Sequence, residues 1–78
     1  MLEFETKNTR YQFDTQSKKY RSSSLKSAIP IWCEWNPYAK LGIGVASLAA
    51  HGRKSLLIYL PGKDEDNPLV TTYIAKYP

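Results

Sequence analysis

The chain has 78 residues and a net charge of +4, and its large rings come from two Trp, six Tyr and two Phe. Because a domain of this length buries only about 60% of its unfolded surface, those rings have to form much of the core. A single cysteine, Cys33, excludes an internal disulfide, and no apolar run reaches the roughly 18 residues that a membrane-spanning helix needs. The opening MLEFETKN is acidic and alternating, unlike a signal peptide. The sequence predicts a single domain over residues 1–78. We expect the protein to be cytoplasmic.

The first 23 residues are typical of a three-stranded antiparallel meander. Apolar and charged side chains alternate over residues 2–6 and again over 9–14. A two-residue turn at Lys7-Asn8 would join the two strands, with Asn8 in the positive-φ conformation that such a turn favours. The predicted register pairs Leu2 with Phe13 and Phe4 with Tyr11 on an apolar face, and Glu5 with Arg10 on a polar face.

A second two-residue turn, at Gln16-Ser17, continues this pattern into a third strand. It places Phe13 opposite Tyr20 on the apolar face and Asp14 opposite Lys19 on the polar face. Both polar-face pairs join an acid to a base, which is a favourable cross-strand contact. The basic stretch 15–30, which contains no acid, is therefore explained first by sheet architecture.

The remainder of the chain also predicts strands. Residues 31–35 read as a fourth strand, with Ile31, Cys33 and Trp35 on one face and Trp32 on the other. Residues 41–52 are ambiguous, and we expect a strand that runs into a short helix around 45–51. A buried central strand over 55–60, a polar loop over 61–68 and a final strand over 69–77 follow. The predicted fold is mainly β, a small barrel or curled antiparallel sheet that begins with the meander.

Four short motifs resemble those of a group of short actinobacterial and actinophage proteins of unknown function. The opening motif is Thr9-Arg10-Tyr11-Gln12-Phe13-Asp14, and a basic turn with Lys18, Lys19 and Arg21 follows it. The Glu34-Trp35 pair and the Thr-rich strand 70–74 complete the set. The resemblance covers about half of the chain. It implies a phage or mobile-element origin and attaches no activity.

Residues that carry catalysis are scarce. A Cys–His nucleophile pair needs a direct hydrogen bond, whereas Cys33 and His51 lie in different predicted elements. We expect Cys33 to pack inward and His51 to lie on an exposed turn. One Cys and one His are too few for a zinc site, and Asp64 and Asp66 lack the remainder of a calcium-binding loop. The sequence predicts no enzyme, no cofactor and no metal site.

Two binding functions fit the residues that remain. The first is a small protein-interaction module that binds a host protein or itself through exposed Trp32 and Tyr38, with Lys26 at the rim. The alternative is a nucleic-acid-binding β domain that combines cations with a stacking ring. Its candidate residues are Lys18, Arg21, Lys26, Lys40 and Tyr20.

Overall fold

The computed structural model describes residues 1–45 and 52–78, and every regular element in these ranges is a β-strand. Seven antiparallel strands form one sheet in the order β4-β3-β2-β1-β7-β6-β5. The strands are β1 (Leu2–Thr6), β2 (Thr9–Asp14), β3 (Lys19–Ser24), β4 (Asn36–Pro37), β5 (Lys40–Gly44), β6 (Ser55–Tyr59) and β7 (Leu69–Lys76). The helix predicted around 45–51 lies outside the described residues, except for Val45, which has no regular structure.

The predicted meander register is confirmed pair by pair. Leu2 pairs with Phe13 and Phe4 with Tyr11, while Phe13 also pairs with Tyr20. Both polar-face pairs, Glu5 with Arg10 and Asp14 with Lys19, are opposite each other as well. Strict alternation fixed this register, because a slip of one residue would turn every apolar side chain to the other face.

The two turns differ in detail from the predictions. The Lys7-Asn8 loop has two residues, but Asn8 does not have the positive φ that was expected. The β2–β3 turn spans residues 15–18 rather than two residues, and Lys18 adopts the left-handed conformation with φ of 56°. Asp14 closes this turn, because its Oδ1 accepts from the backbone amides of Gln16 at 3.1 Å and Ser17 at 3.4 Å.

The expected cross-strand ion pairs do not form within the part of the chain that the structure describes. Arg10 lies opposite Glu5, yet its guanidinium donates to the backbone oxygens of Ser24 at 2.8 Å and Ser27 at 3.1 Å. Carbonyl groups at the last residue of β3 and in the loop that follows it therefore replace the predicted carboxylate partner. The register was predictable from side-chain alternation, whereas the hydrogen-bond partner depends on where the following loop runs.

The sheet curls because its two edge strands are consecutive in the chain. Only Tyr38 and Ala39 separate β4 from β5, although these strands lie at opposite ends of the strand order. Three peptide units span at most about 11 Å, so the edges must come close together. The linker bonds to both sides: Tyr38 N donates to Lys18 O at 3.0 Å, and Ala39 N donates to Tyr59 O at 2.7 Å.

The concave side of the curled sheet holds the core, which consists of Phe4, Phe13, Tyr38, Leu56, Ile58 and Ile74. Phe13 is fully buried at its centre. The predicted exposure of Tyr38 is wrong, because its side chain is only 4% exposed. Its ring packs edge-on against Phe13, with centroids 5.4 Å apart, where the edges of the sheet converge. Closure of the sheet therefore turns Tyr38 inward.

The strand predicted over residues 31–35 is also wrong. This segment has no regular structure, and the fourth strand is the two-residue β4 that follows it. One ladder-like bond remains, from Cys33 N to Ser22 O at 2.9 Å. The amide of Ile31 donates instead to the buried Ser23 Oγ at 3.1 Å. A side-chain hydroxyl thus replaces the backbone acceptor that a continuous strand would have used.

Candidate interaction surface

Arg21 lies between two indole rings on the polar face of the meander. Its guanidinium carbon is 4.7 Å from the ring centroid of Trp32 and 4.5 Å from that of Trp35. A cation over an indole contributes about 0.5–1 kcal/mol at an exposed site and about 2 kcal/mol where water is excluded. We call Arg21, Trp32 and Trp35 the arginine clamp. It joins β3 to the segment that precedes β4.

A row of polar side chains across three strands holds the guanidinium of the clamp in place. Gln12 lies between Glu3 on β1 and Arg21 on β3 in the strand register. Arg21 Nε donates to Gln12 Oε1 at 2.7 Å, and Gln12 Nε2 donates to the Glu3 carboxylate. The amide of Gln12 thus accepts from the cation and donates to the acid. The clamp begins with a pre-oriented arginine.

The loop of residues 25–35, which carries both indoles, is tied to the sheet along its length. Leu25 N donates to Asn8 O at 3.0 Å, at the end of the meander. Further along, Arg10 donates to Ser27 O at 3.1 Å, and the Ile31 and Cys33 amides donate to β3. Loops are usually more mobile than the strands they join. This loop is held by backbone bonds, an arginine and two stacked rings.

The same loop exposes large apolar side chains. Ile29 is 80% exposed and Ile31 is 74% exposed, and Trp35 is 36% exposed beside the clamp. Trp32, the predicted anchor, is half-buried, and Lys26, the predicted rim residue, is exposed at the start of the loop. The structure therefore brings Trp32 and Lys26 to one loop, and it removes Tyr38 from that surface.

A groove of about 380 Å³ runs between this loop and the ends of β1 and β7. Pro30 and Trp32 form one wall, and Glu3 and Glu5 lie on the sheet side. Lys76 and Tyr77 line it as well. Trp32 therefore both packs on Arg21 and borders a groove, next to the exposed isoleucines. Together, the groove and the exposed loop side chains form a contiguous candidate contact surface.

The residues of the nucleic-acid alternative do not share one surface. Lys18 Nζ lies 5.8 Å from the ring centroid of Tyr38, and Lys40 Nζ lies 5.3 Å from that of Tyr59, so these two cations lie where the sheet edges meet. Arg21 is enclosed by the clamp. Tyr20 is half-buried and stacks on Phe13 at 5.8 Å between centroids. Lys26 follows the opposite end of β3 and is separated from Lys18 by the length of that strand.

In the part of the chain that the structure describes, three groups have shifted pKa values. Backbone hydrogen bonds from Ser17 and Gln16 lower the pKa of Asp14. Burial raises the pKa of Tyr38, with a further contribution from the Asp14 charge. Burial also raises the pKa of Tyr11, and the neighbouring Tyr20 adds to it. All three shifts favour the ordinary ionisation states at neutral pH, so none of them marks an acid or base prepared for catalysis.

The position of one reactive residue, Cys33, differs from the sequence-based prediction. Cys33 was expected to pack inward, but its thiol is exposed, because the strand that would have turned it inward does not form. His51 lies outside the described residues. Within residues 1–45 and 52–78, no three His, Cys, Asp or Glu side chains come together as a metal site. No helix of these ranges is long and apolar enough to cross a membrane.

Comparison with protein-family models, with curated proteins and with solved structures gives no match. Function therefore has to be argued from the geometry. The main contributors to the surface, Ile29, Ile31 and the clamp partner Arg21, were not assigned to protein binding from the sequence. The spacing of Trp32 and Trp35, three residues apart and after a predicted strand that contains Arg21, was the available signal for the clamp.

Proposed function

We propose that the protein is a small non-enzymatic interaction module that binds another protein through the 25–35 loop and the adjacent groove. One observation carries the proposal: a loop tied to the sheet along its length leaves two isoleucines 80% and 74% exposed. Burying such a side chain contributes about 1.5–3 kcal/mol, and a partner that covers the loop would gain this free energy.

The arginine clamp supports this proposal through pre-organisation. Ordering a loop on binding opposes association, at about 0.5–1.5 kcal/mol for each immobilised side chain. Because Trp32 and Trp35 are already stacked on Arg21, the partner meets a surface whose rings are in position. Tryptophan is also enriched among the residues that contribute most to protein interfaces. Trp32 forms the groove wall, Trp35 and the isoleucines provide apolar contacts, and Lys26 supplies a rim charge.

The charge of the chain favours a different protein over a second copy. Two copies that each carry a net charge of +4 repel one another. A partner with an acidic surface around an apolar centre would be attracted by the same charge, and rim charges act mainly on the association rate. We therefore assign the surface to an acidic protein partner in the cytoplasm. A phage or mobile-element origin belongs to the same proposal and rests on the resemblance of the sequence motifs.

The test compares two single substitutions of exposed isoleucines. Ile31→Ser removes an apolar contact from the loop, whereas Ile43→Ser removes one from β5, where Ile43 is 45% exposed. Tagged wild type and both variants are used to capture proteins from the cells that naturally express the chain, with nuclease treatment in a parallel set. We expect a nuclease-resistant acidic protein to be captured by wild type and Ile43→Ser and to be lost with Ile31→Ser.

The controls separate the remaining explanations. Both variants are compared with wild type for unfolding midpoint, so that loss of capture is not mistaken for loss of the fold. Equal capture by Ile31→Ser and wild type would contradict the proposed surface. A concentration-dependent dimer in sedimentation that Ile31→Ser abolishes would replace the partner protein with a second copy.

A further inference from the structure

A second surface, at the β1–β7 junction and adjoining the groove at Lys76, is distinguished by charge. We call Lys7, Arg53, Lys54 and Lys76 the basic corner. All four side chains are exposed. They come from the β1–β2 turn, the start of β6 and the end of β7, which the sheet brings together.

The strand pairing places these residues close to one another. Thr6 on β1 pairs with Ile74 on β7, and Ile74 N donates to Lys54 O at 2.8 Å. Neighbouring strands lie about 4.8 Å apart, so the backbones of Thr6 and Lys54 are about 10 Å apart. Lys7 directly follows Thr6, and Arg53 directly precedes Lys54. Lys76 lies opposite Glu5 on the same pair of strands.

The charge of this corner is poorly compensated. Glu5 lies opposite Lys76 in the strand pairing, and Glu3 lines the same groove as Lys76, so two acids lie near four cations. The residues 46–51 contain no acid by sequence. At the meeting edges of the sheet the situation differs, because Lys18 and Lys40 lie over tyrosine rings and Lys63 directly precedes Asp64, Glu65 and Asp66. The basic corner thus gathers four exposed cations, and no run of acids adjoins them in the sequence.

Arg53 adds a flat surface to the corner. Its guanidinium carbon lies 4.5 Å from the ring centroid of Tyr73, which is half-buried on β7. A guanidinium that covers a ring on one side presents its other side outward. Nucleobases that are not stacked in a duplex pack on such arginine planes as well as on aromatic rings.

We propose that the basic corner binds single-stranded nucleic acid, with Lys7, Lys54 and Lys76 at the phosphates and the Arg53–Tyr73 stack under a base. Lysine ammonium groups on separate chain segments suit the flexible backbone of a single strand. The stacked guanidinium suits an unpaired base, which a duplex would not offer. Lys76 also lines the groove beside the 25–35 loop, but Lys7, Arg53, Lys54 and Tyr73 do not. The inference therefore does not depend on the proposed protein-binding function.

The test is fluorescence anisotropy with a labelled oligothymidylate of about 12 nucleotides, a length within the footprint of small single-strand binders. Binding is measured from about 25 to about 200 mM salt, because log K falls by about 0.7 per log unit of salt for each phosphate contact on a single strand. With three lysine–phosphate contacts we expect a slope of about −2. The triple variant Lys7→Gln, Lys54→Gln, Lys76→Gln should make that slope shallower by about 2.

A second triple variant, Lys18→Gln, Lys40→Gln, Lys63→Gln, has the same net charge and serves as the matched control. It should keep the wild-type slope. Arg53→Ala should weaken binding with little change of slope, because Arg53 stacks on a base. Ile31→Ser should bind as wild type does, which separates this result from the test of the protein-binding loop. Equal loss in both triple variants, no binding at low salt, or tighter binding to a duplex of the same length would overturn the proposal.

Discussion

Aromatic rings cover both faces of the β1–β3 meander, but they are held by apolar packing on one face and by cation–π contacts on the other. On the concave face, Phe13 is fully buried and Tyr38 packs edge-on against it at 5.4 Å. On the polar face, the guanidinium of Arg21 lies between the indole rings of Trp32 and Trp35. All three covering rings come from one stretch of chain, residues 32–38, which crosses from one face to the other at β4.

The two faces differ in whether water can take the place of the contacts that are lost when a side chain is removed. Apolar contacts on the concave face have no substitute in solvent, so their loss leaves a cavity. Cation–π contacts and hydrogen bonds on the polar face can be exchanged for water at modest cost. Contacts on the concave face therefore stabilise the fold, whereas contacts on the polar face fix the conformation of the 25–35 loop. The same three strands thus stabilise the domain on one side and position a surface loop on the other.

The largest expected effect is on the concave face. Tyr38→Ala removes the ring that covers Phe13, and substitution of a buried large aromatic residue by alanine costs about 3–5 kcal/mol. The free energy of unfolding from a urea titration should fall by an amount near the lower end of that range. Tyr38→Phe is the control and should retain most of the stability. A loss below about 1 kcal/mol for Tyr38→Ala would contradict the assignment of Tyr38 to the core.

The polar face should show a smaller effect on stability. Arg21→Ala removes two cation–π contacts and the bond to Gln12, for an expected loss of about 1–2 kcal/mol. Arg21→Lys keeps the charge but not the planar group that fits between two rings, so it should restore only part of this. Tryptophan fluorescence should change in both variants and stay constant in Tyr38→Phe. A loss for Arg21→Ala as large as that for Tyr38→Ala would remove the distinction between the faces.

Two buried serines provide a further contrast. The hydroxyl of Ser55 is fully buried and has no hydrogen-bond partner among residues 1–45 and 52–78, whereas Ser23 Oγ accepts from the Ile31 amide at 3.1 Å. An unsatisfied buried polar group costs about 1–3 kcal/mol, so Ser55→Ala should raise the free energy of unfolding by about 1 kcal/mol. Ser23→Ala should lower it by a similar amount. Thermal unfolding of the two variants checks the direction of each change in the free energy of unfolding. A destabilising Ser55→Ala would show that the Ser55 hydroxyl has a partner.

The smallest expected effect concerns Asp14 and pH. The Gln16 and Ser17 amides hold its folded pKa below its unfolded value of about 3.9. The Asp14 carboxylate therefore stabilises the fold above the unfolded pKa, and this contribution is lost as pH falls through the folded pKa. Between about pH 4 and the folded value, the unfolding midpoint of Asp14→Asn should therefore decline less steeply than that of wild type. Parallel declines for the two proteins would exclude this contribution.

The elements that were predictable from the sequence are those that local alternation defines. Glu3, Phe4 and Glu5 take opposite faces by period two alone, and the β1–β3 register follows. Tyr38 was misplaced because its burial depends on the meeting of two sheet edges that are far apart in strand order. The segment 31–35 was misread as a strand because its apolar pattern matched one, while Ser23 and Arg21 supply contacts that a pattern cannot reveal. The prediction of a protein partner stays a prediction.

Hydrogen exchange at the Cys33 amide tests most directly whether the arginine clamp holds the 25–35 loop on the sheet. This amide donates to Ser22 O at 2.9 Å, in the loop that the clamp covers, and the Tyr38 amide, which donates to Lys18 O at 3.0 Å, is the internal reference. In wild type, both amides should be protected. In Arg21→Ala, the acceleration of exchange at the Cys33 amide should exceed that at the Tyr38 amide by at least about tenfold, equal to about 1.4 kcal/mol of lost local protection. Unprotected exchange of Cys33 in wild type, or equal acceleration at both amides, would contradict a loop held by the clamp.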